Sequence, residues 1–112
     1  GKIRILGNPD SGEYAGQTRF LDQNIIADPS FTGRISVGKW NDVSHLILMT
    51  DGVSDPLFET DNGLRSDEKW TRLVNELTPA LAEASNAPER LGEWLNFFST
   101  GNHDDRTIAV LW

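Results

Sequence analysis

Apolar residues run without a break at Leu46-Ile47-Leu48-Met49, which predicts a strand over residues 45–50. An uninterrupted run, in place of alternation, predicts a central strand covered on both faces. The run stops at Asp51-Gly52, where a carboxylate and a flexible residue take over. Shorter strands are predicted at residues 2–6, 17–22, 24–27 and 34–37, with Ile35 and Val37 on one face of the last. Asn8-Pro9-Asp10-Ser11-Gly12 reads as a turn, and Asp28-Pro29 breaks the pattern. A final strand is predicted at residues 107–112, which begin Thr107-Ile108-Ala109-Val110.

Between the two strong strands the period changes. Trp70, Leu73, Val74, Leu77 and Leu81 recur at helical spacing and form one apolar stripe. Ser66 suits the N-cap of that helix, and Asp67-Glu68 suits its positive end. Pro79 is expected to kink or divide it. A second helix is predicted from Asn86-Ala87-Pro88-Glu89, with Pro in its first turn. Leu91, Trp94, Leu95 and Phe98 would be its buried face, and Gly101-Asn102 its end. The order of elements predicts an α+β fold: helices packed on an antiparallel sheet.

At 112 residues the chain is expected to form one domain, residues 1–112, with one modest core. A charged fraction of 24% beside 38% hydrophobic residues reads as globular. The net charge of −7 argues against nucleic acid and anionic membrane surfaces as partners. No apolar run approaches membrane-spanning length. The absence of Cys removes disulfides, thiolate metal sites and cysteine nucleophiles. A cytoplasmic protein is expected. Trp40, Trp70, Trp94 and Trp112 are expected in the core. The Gly33 to Gly38 stretch lacks the spacing of a phosphate loop, and Ser44 and Ser54 lack a nucleophile-elbow context.

Two segments can carry chemistry. Asp51 follows the strongest strand, where a rigid element fixes a group while the turn leaves it accessible. Asp55 lies a short turn further on, and Gly52 permits close backbone approach. Clustered carboxylates suit hard cations such as Mg²⁺ or Mn²⁺. Asp-Gly is also a common turn pair, and Asp55-Pro56 can simply start a turn or cap a helix. On pattern alone that reading is the better supported. The second segment is His103-Asp104-Asp105-Arg106-Thr107, before the last strand. Adjacent carboxylates repel unless a cation lies nearby, and Arg106 or a metal can supply it. A polar surface loop is again the simpler reading. If the two strands are neighbours in one sheet, their acidic ends can converge on one ion.

The run Leu46 to Asp55, with Thr50-Asp51-Gly52 and an Asp three residues later, resembles a motif of the metal-dependent type-2C serine/threonine protein phosphatases. Gly101-Asn102-His103-Asp104-Asp105-Arg106-Thr107 before an apolar strand resembles that family's closing Gly-x-x-Asp-Asn/Asp-x-Thr motif. By element order the resemblance covers roughly residues 15–112, as the C-terminal portion of the catalytic domain. It implies part of an α-β-β-α sandwich, incomplete in this chain, with a strand edge left exposed. It implies Asp51, Asp55 and Asp104 as metal ligands for a pair of Mg²⁺ or Mn²⁺ ions and a weaker third ion. Asp51 and Asp104 would serve the pair, Asp51 would also help bind the third ion, Asp55 would serve mainly that ion, and Asp105 would stand at the neighbouring position. The implied reaction is hydrolysis of phosphoserine or phosphothreonine in a protein, the phosphoprotein substrate being paired with a cognate kinase.

The family's Asp-Gly-His-Gly segment and early phosphate-binding Arg have no counterpart among these residues. Asp28-Pro29 and Asp10-Ser11-Gly12 do not match. The expectation is therefore a piece that lacks the N-terminal part of the domain and is inactive by itself. An alternative is a non-catalytic regulatory or interaction domain on the same fold. A receiver-like phosphotransfer domain is disfavoured by the terminal Asp-Asp-Arg-Thr strand and the lack of further βα repeats.

Overall fold

The computed structural model describes residues 2–7, 21–35, 37–60, 62–97 and 104–112. The predicted turn at 8–12, most of the predicted strand at 17–22, Phe98, Gly101-Asn102 and His103 lie outside them. The chain divides into two compact units, Arg4–Asn41 and a second formed by Gly1–Ile3 with Asp42–Trp112.

In the first unit, residues predicted as strand form a short helix. Asp22 accepts the Ile25 amide at 2.9 Å and caps α1, Gln23–Ala27. The helix ends at Asp28, whose extended backbone is what the following Pro29 requires. A 3₁₀ turn at Thr32–Arg34 takes the start of the strand predicted at 34–37. None of the described residues of this unit is buried. Residues 2–6 are also irregular. A short apolar segment becomes a strand only where a neighbour completes its ladder, and among the described residues only two strands pair.

The second unit carries that sheet. β1, Leu46–Met49, lies antiparallel to β2, Ile108–Leu111, with Ile47 opposite Val110 and Met49 opposite Ile108. These four side chains pack on the main cluster of Phe58, Leu73, Leu77, Leu81 and Ala87. The opposite face differs from the sequence expectation of double coverage. Leu48 is 59% exposed and Leu111 56%. An apolar run makes both faces coverable, but it does not supply the covering element.

Three helices follow β1: α2, Asp51–Phe58; α3, Asp67–Leu81; and α4, Ala87–Trp94. The fold is thus mixed α+β, with four helices and a two-stranded antiparallel sheet among the described residues. In α3 the predicted stripe is the buried face, with Leu77 only 1% exposed. Pro79 does not divide the helix, which runs two residues further, and its carbonyl accepts a hydrogen bond from Arg90 on α4 at 3.3 Å. The end of α4 comes earlier than predicted. Asn96 and Phe97 donate to Glu93 and Trp94 in tight closing turns. Trp70 stacks at 4.6 Å on Phe58 and donates to the Leu64 carbonyl at 2.7 Å. Trp94 also packs on the core, whereas Trp40 and Trp112 are exposed, contrary to expectation.

Ser66 caps α3 by accepting the Lys69 amide at 3.4 Å. The distance is long, so Ser66→Ala should cost about 0.5–1 kcal/mol, the low half of the usual range for a lost cap. Thermal unfolding followed at 222 nm checks this, and an unchanged midpoint would show the cap to be idle.

Candidate functional site

Thr50 joins the two acidic segments. It is the last residue before α2, with extended backbone, and its carbonyl accepts the amides of Val53 and Ser54 at 2.9 and 3.0 Å. An N-cap threonine commonly spends its hydroxyl on its own helix. In this protein Oγ1 crosses to the other segment. It donates to the Asp105 carbonyl at 3.1 Å and accepts the Thr107 amide at 3.0 Å. The Thr50 amide donates to the Thr107 carbonyl at 3.1 Å, carrying the β1–β2 ladder one step past the sheet. Residues 57 apart in sequence are therefore stitched at one point.

By sequence Asp51-Gly52 reads as a turn. The structure makes both residues the first turn of α2. Asp51 is exposed at the helix N-terminus, where a carboxylate meets the positive end of the dipole. Asp55 is also exposed and lies four residues on, so it shares the Asp51 side of the helix. The reason for helix at this point is burial: Val53 is 0% and Phe58 1% exposed.

Gly52 is buried, and its close approach is to protein backbone. A Cβ at this position would collide with the Asp105 carbonyl oxygen and lie 2.9 Å from that of Asp104. The first turn of α2 therefore rests directly on the Asp104-Asp105 backbone. Asp104 and Asp105 are exposed residues.

The structure thus brings the segments of Asp51 and Asp104 together, with Asp55 one helical turn away. The available groups are exposed carboxylates, all hard oxygen donors, which fit Mg²⁺ or Mn²⁺ in kind. They do not form a full set: among the described residues no group of three or more His, Asp or Glu side chains is close enough to hold a metal ion. His45 meets Ser44 Oγ at 3.0 Å, and no bond ties it to the acidic segments among the described residues. Sequence reasoning gave no role to the Thr50 hydroxyl or the Thr107 amide. The signal was a threonine ending each segment's contact region, one before Asp51 and one after Arg106.

Among the described residues, no helix is long and apolar enough to cross a membrane. A family model described as protein phosphatase 2C matches residues 1–96. That span includes Thr50 to Asp55 and stops before Asp104. No curated protein and no solved structure matches.

Proposed function

The chain belongs to the protein phosphatase 2C family, and from that premise we propose that it contributes part of the metal site of a serine/threonine protein phosphatase. Asp51 and Asp104 would hold Mg²⁺ or Mn²⁺, and Asp55 would serve a weaker neighbouring ion. A bound divalent pair would supply an activated water and charge neutralisation at the phosphoryl oxygens of a phosphoserine or phosphothreonine. The protein's own work is placement. Thr50 and Gly52 hold the Asp51 turn against the Asp104-Asp105 backbone, so the two carboxylates start from one rigid junction. That junction is the observation that carries the reading.

Among the described residues the ligand set is short of what such chemistry needs, and the chain has no Asp-Gly-His-Gly segment. Hydrolysis would therefore depend on residues beyond Asp51, Asp55 and Asp104. The phosphoprotein partner, its cognate kinase and a cytoplasmic setting belong to the same proposal.

Mn²⁺ titration by calorimetry tests the site in the 112-residue protein. Asp51→Asn and Asp104→Asn should each weaken binding by about tenfold or more, since each removes a charged oxygen donor. Asp55→Asn should have a smaller effect. Mn²⁺-dependent hydrolysis of p-nitrophenyl phosphate, measured with the partner residues that complete the site, should fall in the same order. Unaltered metal affinity in both Asp51→Asn and Asp104→Asn would refute the assignment.

A further inference from the structure

Arg106 stands between the two residues stitched to Thr50, yet its side chain is anchored on a different element. Its half-buried guanidinium reaches the exit of α4, where Nη1 donates to the Leu95 carbonyl at 2.8 Å and to the Phe97 carbonyl at 2.5 Å. The guanidinium carbon lies 4.0 Å from the centroid of the Phe97 ring. Carbonyls at a helix end lack intrahelical donors, and a cation there suits the negative end of the dipole. Charged donors make the stronger hydrogen bonds, and a ring face adds cation–π attraction. This docking therefore fixes residue 106 firmly to α4.

The neighbours of Arg106 on both sides are fixed to Thr50, through the Asp105 carbonyl and the Thr107 amide. A displacement of residue 106 must then move one or both of those bonds. It must also move the carbonyl oxygens on which Gly52 rests. We propose that Arg106 is a positioning residue: by docking on the exit of α4 it sets where the Asp104-Asp105 backbone meets the first turn of α2. It thereby fixes the spacing of the Asp104 and Asp51 carboxylates. The consequence for metal binding rests on the phosphatase metal site proposed for Asp51 and Asp104; the docking itself is measurable without metal.

Two measurements, with the melting temperature as a control for global stability, test it on Arg106→Ala and Arg106→Lys in the 112-residue protein. The first is amide hydrogen exchange in the metal-free state. Arg106→Ala should speed exchange at Thr50 and Thr107 by about tenfold while Leu77 in α3 stays protected, because the opening is local. The second is Mn²⁺ affinity, which should fall about tenfold, the usual scale for removing a group that orients a ligand. Arg106→Lys keeps the charge but not the planar fork. It should recover the melting temperature and leave Thr107 exchange and Mn²⁺ affinity impaired.

Unchanged exchange at Thr107 in Arg106→Ala overturns the proposal. So does a uniform loss in which Leu77 protection, melting temperature and Mn²⁺ affinity fall together and Arg106→Lys restores all three. If the unaltered protein binds no Mn²⁺, the metal reading fails, while Thr107 exchange still decides the role of Arg106.

Discussion

Gly52→Ala should destabilise the protein and weaken Mn²⁺ binding, although alanine is the better helix former. Gly52 sits in the first turn of α2 and has no left-handed backbone to protect. On propensity alone, replacing glycine by alanine inside a helix gains up to about 1 kcal/mol. The contact predicts the opposite sign. The new methyl would meet the carbonyl oxygens of Asp105 and Asp104, which are main chain, and that of Asp105 already accepts the Thr50 hydroxyl. Overpacking of this kind costs about 1–3 kcal/mol, and backbone neighbours yield less readily than side chains.

Relief would come by moving α2 off the Asp104-Asp105 segment. On the metal site proposed for Asp51 and Asp104, that motion separates the two carboxylates, so Mn²⁺ affinity should fall by about tenfold or more, the scale at which a misplaced ligand is felt. Urea unfolding and Mn²⁺ calorimetry on the same variant read both effects. A gain in stability with unaltered metal affinity would mean that the two segments do not meet at Gly52.

The contrast between α2 and α3 says what the sequence could reveal. α3 announces itself because Trp70, Leu73, Leu77 and Leu81 repeat over several turns with a capping serine before them. α2 is eight residues long and is built from Asp, Gly, Ser and Pro, residues that favour turns. Its helical signal is confined to Val53, Leu57 and Phe58, of which Val53 and Phe58 are fully buried. Tertiary burial thus overrode local preference. α1 fails in the same direction: Ile25 and Ile26 suggest a strand, but Asp22 three residues before Ile25 is a cap.

The meeting of the two acidic segments was legible in part for a related reason. That strands β1 and β2 exist follows from their apolar runs, and their acidic flanks are visible in the same letters. Their pairing brings residues far apart in sequence together, which no local period encodes. The Thr50 bridge and the Arg106 docking depend on that pairing and on where α4 ends. The exposed face of Leu48 and Leu111 makes the same point, since composition marks a face as apolar without naming what covers it.

Among the described glycines, Gly63→Ala is expected to be the most damaging substitution, costing about 3 kcal/mol or more, the upper end of overpacking. Gly63 opens the 3₁₀ turn Gly63–Arg65 and is buried. Its added Cβ would overlap the Phe58 carbonyl oxygen and lie 2.8 Å from the carbonyl carbon. That carbonyl cannot swing aside freely. It accepts the Thr60 amide at 2.7 Å and Lys69 Nζ at 3.3 Å, and it belongs to a residue whose ring is 1% exposed. The next residue, Glu59, already sits at a positive φ of 68° to end α2. The chain therefore has little freedom left on either side of the collision. Displacing it would pull the Phe58 ring from Trp70 and open the cluster that supports α2 from below. The backbone of Gly63 is not in the left-handed region, so alanine would fit the torsions and only space opposes it. Gly63→Ser, which has the same Cβ, should be as harmful, whereas Gly92→Ala, with open space around it, should be neutral or stabilising. Chemical denaturation of the three variants decides the matter, and a Gly63→Ala protein as stable as the original would mean that the turn does not pack on Phe58.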